Sequence, residues 1–456
     1  MTISHYAELL LDDIVSRKPR TSWLLNDLYA ERTACHSWLL EDSKITESVS
    51  SFSSGVASRA VSPSGTLLSF RSEATFSNAL ACMDDIFGDT SAKAARAESG
   101  DREALFCGDA RSQVLLPGII RELDSMIRSS SSTVRQVTLR FDTGVKEKLI
   151  FPGENCVRNE TAIRTSLSLH ITVSDCDGMQ TASDLIAGVA GCESFLRDND
   201  LFERAKSLVE RAVNFLSAPK CPAGRFPVLL SGKTGGTMIH EACGHGLEAD
   251  IVMKDFSVFR DRLGDTVASP FVTIVDDPTS PCAYGGYGCD DEGTPSRRTV
   301  LVDRGVLNGY LTDRETSAKM SLPLTGNGRR ASFRHVPIPR MSATSLLPGP
   351  EREESILDGM GNGLYVTRLG GGEVDPTTGD FVFQVTEGFQ VQAGKVRNPV
   401  RGALLVGNGP DVLKSIAAVG DRMELFPGYC GKNGQDVPIS DGQPALLIPD
   451  IVVGGE

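Results

Sequence analysis

The sequence predicts an α+β protein of two domains: an N-terminal α/β domain over residues 1–220 and a C-terminal, predominantly antiparallel β domain over residues 221–456. Three observations lead there. A chain of 456 residues exceeds the usual size of a single core. The first 220 residues mix helical and strand-like periodicities, whereas the remainder is rich in Gly and Pro and carries β-branched runs separated by turns. A helical repeat of Leu201, Ala205, Leu208, Val209, Ala212, Val213 and Leu216 stops at Ser217-Ala218-Pro219, and the boundary is drawn there.

Taken in order, residues 1–18 (MTISHYAELLLDDIVSRK) read as an amphipathic helix with Tyr6, Leu9, Leu10 and Ile14 inward. Glu8, Asp12 and Asp13 interrupt its apolar stretch, which argues against a secretory leader. The Ser-rich stretches Ser48–Ser54 and Ser129–Ser132 are expected to be loops or turns, and Gly55–Phe70 two short strands around Pro63-Ser64-Gly65. Val134–Phe151 and Thr165–Asp175 alternate in the β-branched manner, so a sheet should stand at the centre. Past the boundary come an apolar strand (Phe226–Leu230), the loop SGKTGG and a helix start near Gly235–Thr237. Beyond Asp250, the runs PFVTIVDD, RTVLVDRGVLNGYL, DFVFQVTEGFQVQAGKV and ALLIPDIVVGG supply the antiparallel strands.

Composition narrows the function classes. Hydrophobic residues make up 40% and charged residues 23%, as in a folded globular protein. The net charge of −13 opposes broad binding to a phosphate backbone, and Arg329-Arg330 reads as a solvated turn or a carboxylate clamp, so no nucleic-acid partner is expected. No run of about 18 apolar residues offers a membrane span. The eleven cysteines form no CxxC pair and are expected to be mostly reduced thiols in a cytoplasmic protein.

The chemistry-bearing segment is GGTMIHEACGHGLEAD, Gly235 to Asp250. His240 and His245 are imidazoles suited to a divalent ion, and Glu241 is a carboxylate placed to deprotonate water beside it, so the C-terminal domain is expected to carry a metal-binding helix. Five residues separate the histidines, which on a regular helix sets them ~140° apart. A π-type turn, or a break at Gly244 flanked by Gly246, is therefore expected. The nearby Ser231-Gly232-Lys233-Thr234 is not a phosphate-binding loop, because Pro227 stands where its first glycine would be needed.

HEACGHGLEAD, followed by CDDEGTP (Cys289–Pro295), TGNGRR (Thr325–Arg330), RHVPIPRM (Arg334–Met341) and CGKNGQ (Cys430–Gln435), resembles the TldD/PmbA family, densely from about Cys221 onward. The retained HExxxH pattern is similar to the TldD branch, whose members are metalloproteases. The resemblance implies His240, His245 and Cys430 as ligands of one divalent metal, zinc or iron, and Glu241 as general base. It also implies a linear or unfolded peptide as substrate, taken up as an added strand, and a dimer that is homomeric or formed with a PmbA/TldE-like subunit. Cys243 is set aside as a packing residue. Asp290-Asp291-Glu292 and the Gly370–Glu373 loop remain secondary candidates, while His335 and Arg340 are divided between substrate contact and salt-bridged structure. Two alternatives stay open: a catalytically silent peptide-binding or partner subunit, and a metal-dependent amide hydrolase acting on a non-peptide substrate.

Overall fold

Long alternating runs between residues 25 and 188 pair into one sheet that is antiparallel throughout, in the order β3-β2-β1-β4-β5-β6. The strands are β1 (Leu25–Glu41), β2 (Lys44–Ser62), β3 (Gly65–Ser72), β4 (Val134–Phe151), β5 (Arg158–Asp175) and β6 (Gly178–Gly188). The computed structural model describes residues 23–87, 110–153, 156–176, 178–281 and 283–455. The helix expected at residues 1–18 lies outside them.

Strand pairing overrides local propensity in one place. Ser48–Ser54, expected to be a loop, lies inside β2, where each backbone unit is matched to β1 in the register Ser50↔His36 and Ser53↔Thr33. A long partner ladder on an exposed ribbon outweighs the turn preference of serine. Of the other Ser-rich stretch, Ser129 and Ser130 end the helix Ala110–Ser130, and only Ser131 and Ser132 lie in the expected turn before β4.

Helix α1 (Phe76–Phe87) packs on β2 and β3, while α2 (Ala110–Ser130) and, beyond the short α3 (Cys192–Asp198), α4 (Leu201–Leu216) pack on the other end of the sheet. The apolar stripe of α4, Leu201, Ala205, Leu208, Val209, Ala212 and Leu216, is buried as its spacing predicts, against Phe141, Leu169 and Ile171 of the sheet. Asp200 caps this helix by accepting the Glu203 N–H at 3.0 Å.

The C-terminal half is built on a seven-stranded and a six-stranded sheet sharing one core. Their pairings are antiparallel except for two: Gly363–Val374 beside Gly224–Leu230, and Ala343–Leu346 beside Gln435–Gly442. The chain is thus an α+β protein in which helices are subordinate to antiparallel sheets. No described helix is long and apolar enough to cross a membrane.

The face of the N-terminal sheet away from its helices meets the C-terminal half through buried charge. Arg59 on β2 bridges Asp27 and Glu292, and Lys148 on β4 contacts Asp291 and Glu160, both at 2.9 Å. Tyr29, Ala57, Ile150, Cys289 and Phe333 seal this junction. Gly55 is required beneath Phe333, since a Cβ there would stand 2.3 Å from the ring. Asp291 and Glu292 are therefore engaged in joining the two halves, while Asp290 accepts the Glu292, Thr294 and Gly328 N–H groups within the C-terminal half. Asp313, which caps the helix Arg314–Met320 by accepting the Thr316 N–H at 2.7 Å, lies in the same cluster. Burial, then the neighbouring charge of Glu292, pushes its carboxyl up to about 7. A folded-state value above that of the unfolded chain stabilises the fold at low pH, and this contribution is lost as pH rises through the folded value. Thermal unfolding of wild-type and Asp313→Asn protein should therefore diverge between about pH 4 and 7, the variant gaining relative stability as pH rises, with a constant difference above that range.

Candidate metal centre

The strand Gly224–Leu230 delivers the chain into a tight 3-10 turn, Gly232–Thr234, and then into Thr237–Ile239, one short α turn. Gly236 lets this turn lie against the strand Gln435–Gly442, because a Cβ at that position would fall 2.3 Å from the Gly442 nitrogen. His240–Gly244 then forms a π turn, in which the His245 N–H donates to the His240 carbonyl five residues back. A 3-10 turn, His245–Leu247, follows at once. The irregularity expected from the five-residue spacing is present, and the two imidazole centroids stand 4.9 Å apart.

The third group arrives from the opposite side of the core. Phe426–Lys432 and Gln435–Gly442 form a hairpin whose tip, Asn433-Gly434, has φ of 52° and 70°, the left-handed pair that suits Asn-Gly. Strand alternation turns Cys430 and Lys432 to one face, inward, and leaves Tyr429 and Gly431 exposed. The Cys430 sulfur stands 3.3 Å from His240 Nε2 and 3.5 Å from His245 Nε2, and the three donor atoms all lie within 4.8 Å of one another. Tetrahedral zinc, with Zn–N of about 2.0–2.1 Å and Zn–S of about 2.3 Å, separates neighbouring nitrogen and sulfur ligands by about 3.5 Å. The two nitrogen–sulfur separations thus match those such an ion requires, and two imidazoles with one thiolate would leave a fourth position open.

Electrostatics prepare the same three groups. Burial pushes the Cys430 thiol up, but hydrogen bonding to His240 and His245 outweighs it and brings the thiol down to about 5, favouring the thiolate that a metal binds. Behind the imidazoles are carboxylates that sequence reasoning did not single out. Glu248 Oε2 lies 2.9 Å from His245 Nδ1 and also receives Lys432 Nζ at 2.9 Å. Burial works against its charge, yet Lys432, His245 and Arg340 together hold it ionised at about 2. Asp441 faces His240 Nδ1 at 3.7 Å, and that nitrogen is buried without a hydrogen bond. Glu248 thus leaves Nε2 of His245 as the nitrogen free to bind a metal, whereas Asp441 only places negative charge near His240 Nδ1. The signal for Glu248 lay in HEACGHGLEAD, three residues past His245; nothing local marked Asp441.

Arg340 resolves to the structural alternative: fully buried, it donates to the carbonyls of Cys430 and Gln435 and so holds the Cys430 strand in place. His335 bonds Ser332 at 2.9 Å, apart from the cluster. Arg329 and Arg330 are buried rather than solvated, the first donating to the Met341 and Pro438 carbonyls, the second lying over the Tyr29 ring. Cys243 is buried and its thiol is pushed up to about 12 by burial, in keeping with packing. Glu241, next to His240, is half-buried and lines a cavity of about 600 Å³ together with His240, Asp441, Tyr429, Arg368 and Gly370. The opposite wall is formed by β5 and β6, through His170 and Gln180–Leu185.

Known proteins resemble this chain in sequence and in fold. A family model described as "PmbA/TldA metallopeptidase C-terminal domain" matches residues 223–455. The "Metalloprotease TldD homolog" of Haemophilus influenzae is 34% identical over 447 residues, 94% of this chain and 92% of that protein. The "Zinc metalloprotease TldD homolog" of Saccharolobus solfataricus is 27% identical over 340 residues, covering 74% of this chain and 75% of that protein. In fold, the crystal structure of TldE from Thermococcus kodakarensis superposes with a TM-score of 0.78 at 15% identity, over 99% of this chain and 100% of that one. By sequence, and with a fold that agrees, the chain belongs to the PmbA/TldD metallopeptidase family.

Proposed function

We propose that the chain hydrolyses peptide bonds of extended or unfolded peptides, with one divalent metal, zinc or iron, held by His240, His245 and Cys430 and with Glu241 as general base. The observation that carries this reading is the shared wall: His240 and Glu241 both face the 600 Å³ cavity from beneath. A second feature supports a peptide in extended form. β6 closes one end of the N-terminal sheet and Phe426–Lys432 closes one end of the six-stranded sheet, and both strands line the cavity, so each has a backbone edge to offer. An extended chain adds to such an edge through main-chain hydrogen bonds, as a folded protein does not.

A divalent metal at this site supplies Lewis-acid polarisation of a carbonyl and lowers the pKa of water. Glu241 accepts the proton released by the attacking water and returns it to the departing amide nitrogen, so no covalent bond to the chain forms. Glu248 keeps the His245 imidazole turned with Nε2 toward the shared centre and Asp441 sets negative charge near His240 Nδ1, while Arg340 and Lys432 neutralise the charge of Glu248. We also take residues 1–220 and 221–456 as two domains and the working particle as a cytoplasmic dimer, either of two copies or with a TldE-like subunit.

Metal analysis and cleavage of an unstructured peptide library, each with and without such a subunit, test this reading. Glu241→Ala should retain metal and lose cleavage by at least ~10²-fold, whereas Cys430→Ala and His240→Ala should lose metal. Equal metal loss in all three contradicts the assigned roles, and metal-free, inactive wild-type protein under every condition favours a silent scaffold. Glu248→Gln should weaken metal affinity ~10–100-fold, read by competition with a chelator, because the carboxylate behind His245 is gone. Unchanged affinity would remove Glu248 from the site.

A further inference from the structure

Among the described residues, one cation lining the cavity beside Glu241 makes no ion pair. Two arginines line it, Arg211 and Arg368. Arg211 faces Glu387 at 3.3 Å. Arg368 has no carboxylate within ion-pair distance among the described residues; its guanidinium lies 5.9 Å from the centre of the Phe426 ring. The nearest acids are committed elsewhere, Glu387 to Arg211 and Thr367, and Asp184 to Arg204 at 2.9 Å.

The backbone explains the orientation. Arg368 is matched to Glu387 in the ladder between Gly363–Val374 and Asp380–Gln392, but the register slips on both sides of it. Such irregularities re-aim a side chain, here out of the pairing and into the cavity. Burial, and then the positive charge of Arg211, push the Arg368 pKa down, outweighing the more distant attraction of Asp184 and Glu387. A half-buried cation with unused planar donors is costly until a carboxylate or similar anion meets it.

We infer that Arg368 forms a carboxylate-recognition subsite, receiving either an acidic side chain or the terminal carboxylate of an extended peptide. The inference rests on the peptidase reading for its substrate class. It also fixes a distance. Phe426, beside Arg368, precedes Cys430 by four positions on one strand, about 13 Å at ~3.3 Å per residue. A peptide running along that strand would place its carboxylate about three or four residues from the scissile bond.

The test uses the full chain carrying Glu241→Gln, so that binding is read without hydrolysis, and short unstructured fluorescent peptides. The peptides bear Glu or Gln at successive positions, each with a free or amidated C-terminus and no other acidic group. Anisotropy should show ~10-fold or greater weakening when the recognised carboxylate becomes an amide. The Glu/Gln arm and the acid/amide arm identify which carboxylate it is. Adding Arg368→Gln should reduce that discrimination to less than ~2-fold, Arg368→Lys should keep part of it, and Arg368→Glu should favour peptides with Lys at the same position. Metal content and Tm of each variant verify the fold. Equal binding of acid and amide forms, including no measurable binding of either, or discrimination that survives Arg368→Gln, overturns the proposal. A wild-type chain that binds with this discrimination but, metal-loaded and both with and without a TldE-like subunit, cleaves none of the peptides would remove the peptidase reading and leave the subsite.

Discussion

On a regular α-helix the rings of His240 and His245 would point about 140° apart and could not serve one ion. The i→i+5 hydrogen bond from the His245 N–H to the His240 carbonyl gathers the chain by one residue and brings both imidazoles to the same side. A π turn has poorer internal geometry than an α turn and must be held by its surroundings. Here it is gripped by close backbone approach: Gly236 lies against Gly442, and Gly409 lies against the carbonyl of Ala242, where a Cβ would be 2.4 Å away. Apolar packing of Met238, Ile239, Ala242 and Leu247 completes the hold.

The same constraint explains the charges behind the site. Two imidazoles and a thiolate concentrated in the core need partners that set tautomers without leaving stray charge. Glu248 serves His245, and Lys432 and Arg340 then balance Glu248. Lys432 lies two residues from Cys430 on the same strand face, so one strand brings both the thiol of the cluster and the counter-ion of Glu248. Arg340 ties that strand to the Glu248 side through the Cys430 carbonyl. Across the cavity, charge is handled differently. Asp184 on β6 pairs with Arg204 and Glu387 on Asp380–Gln392 pairs with Arg211, whereas Arg368 makes no ion pair among the described residues.

Much of this was legible from residues. The five-residue histidine spacing forced an irregular turn, because no regular helix satisfies it, and the turn is there. The stripe on Leu201–Leu216 and the strands Val134–Phe151 and Phe226–Leu230 followed from periodicity alone. Cys430 was reachable only through family resemblance, since a cysteine 190 positions from His240 carries no local sign of its partners. Ser48–Ser54 misled because its conformation is dictated by β1, not by serine. Asp441, Arg368 and the acids at Asp290–Glu292 act through tertiary neighbours that no spacing rule encodes. Charge within one turn of a histidine can be read along the chain; charge arriving from another sheet cannot.

The most direct test of the central claim is X-ray absorption at the metal edge of the zinc-loaded protein. Two imidazole nitrogens at about 2.0–2.1 Å and one sulfur at about 2.3 Å are expected, with a light-atom ligand completing the shell. A shell of nitrogen and oxygen alone would contradict the role of Cys430, and with it the three-ligand centre on which the catalytic reading depends.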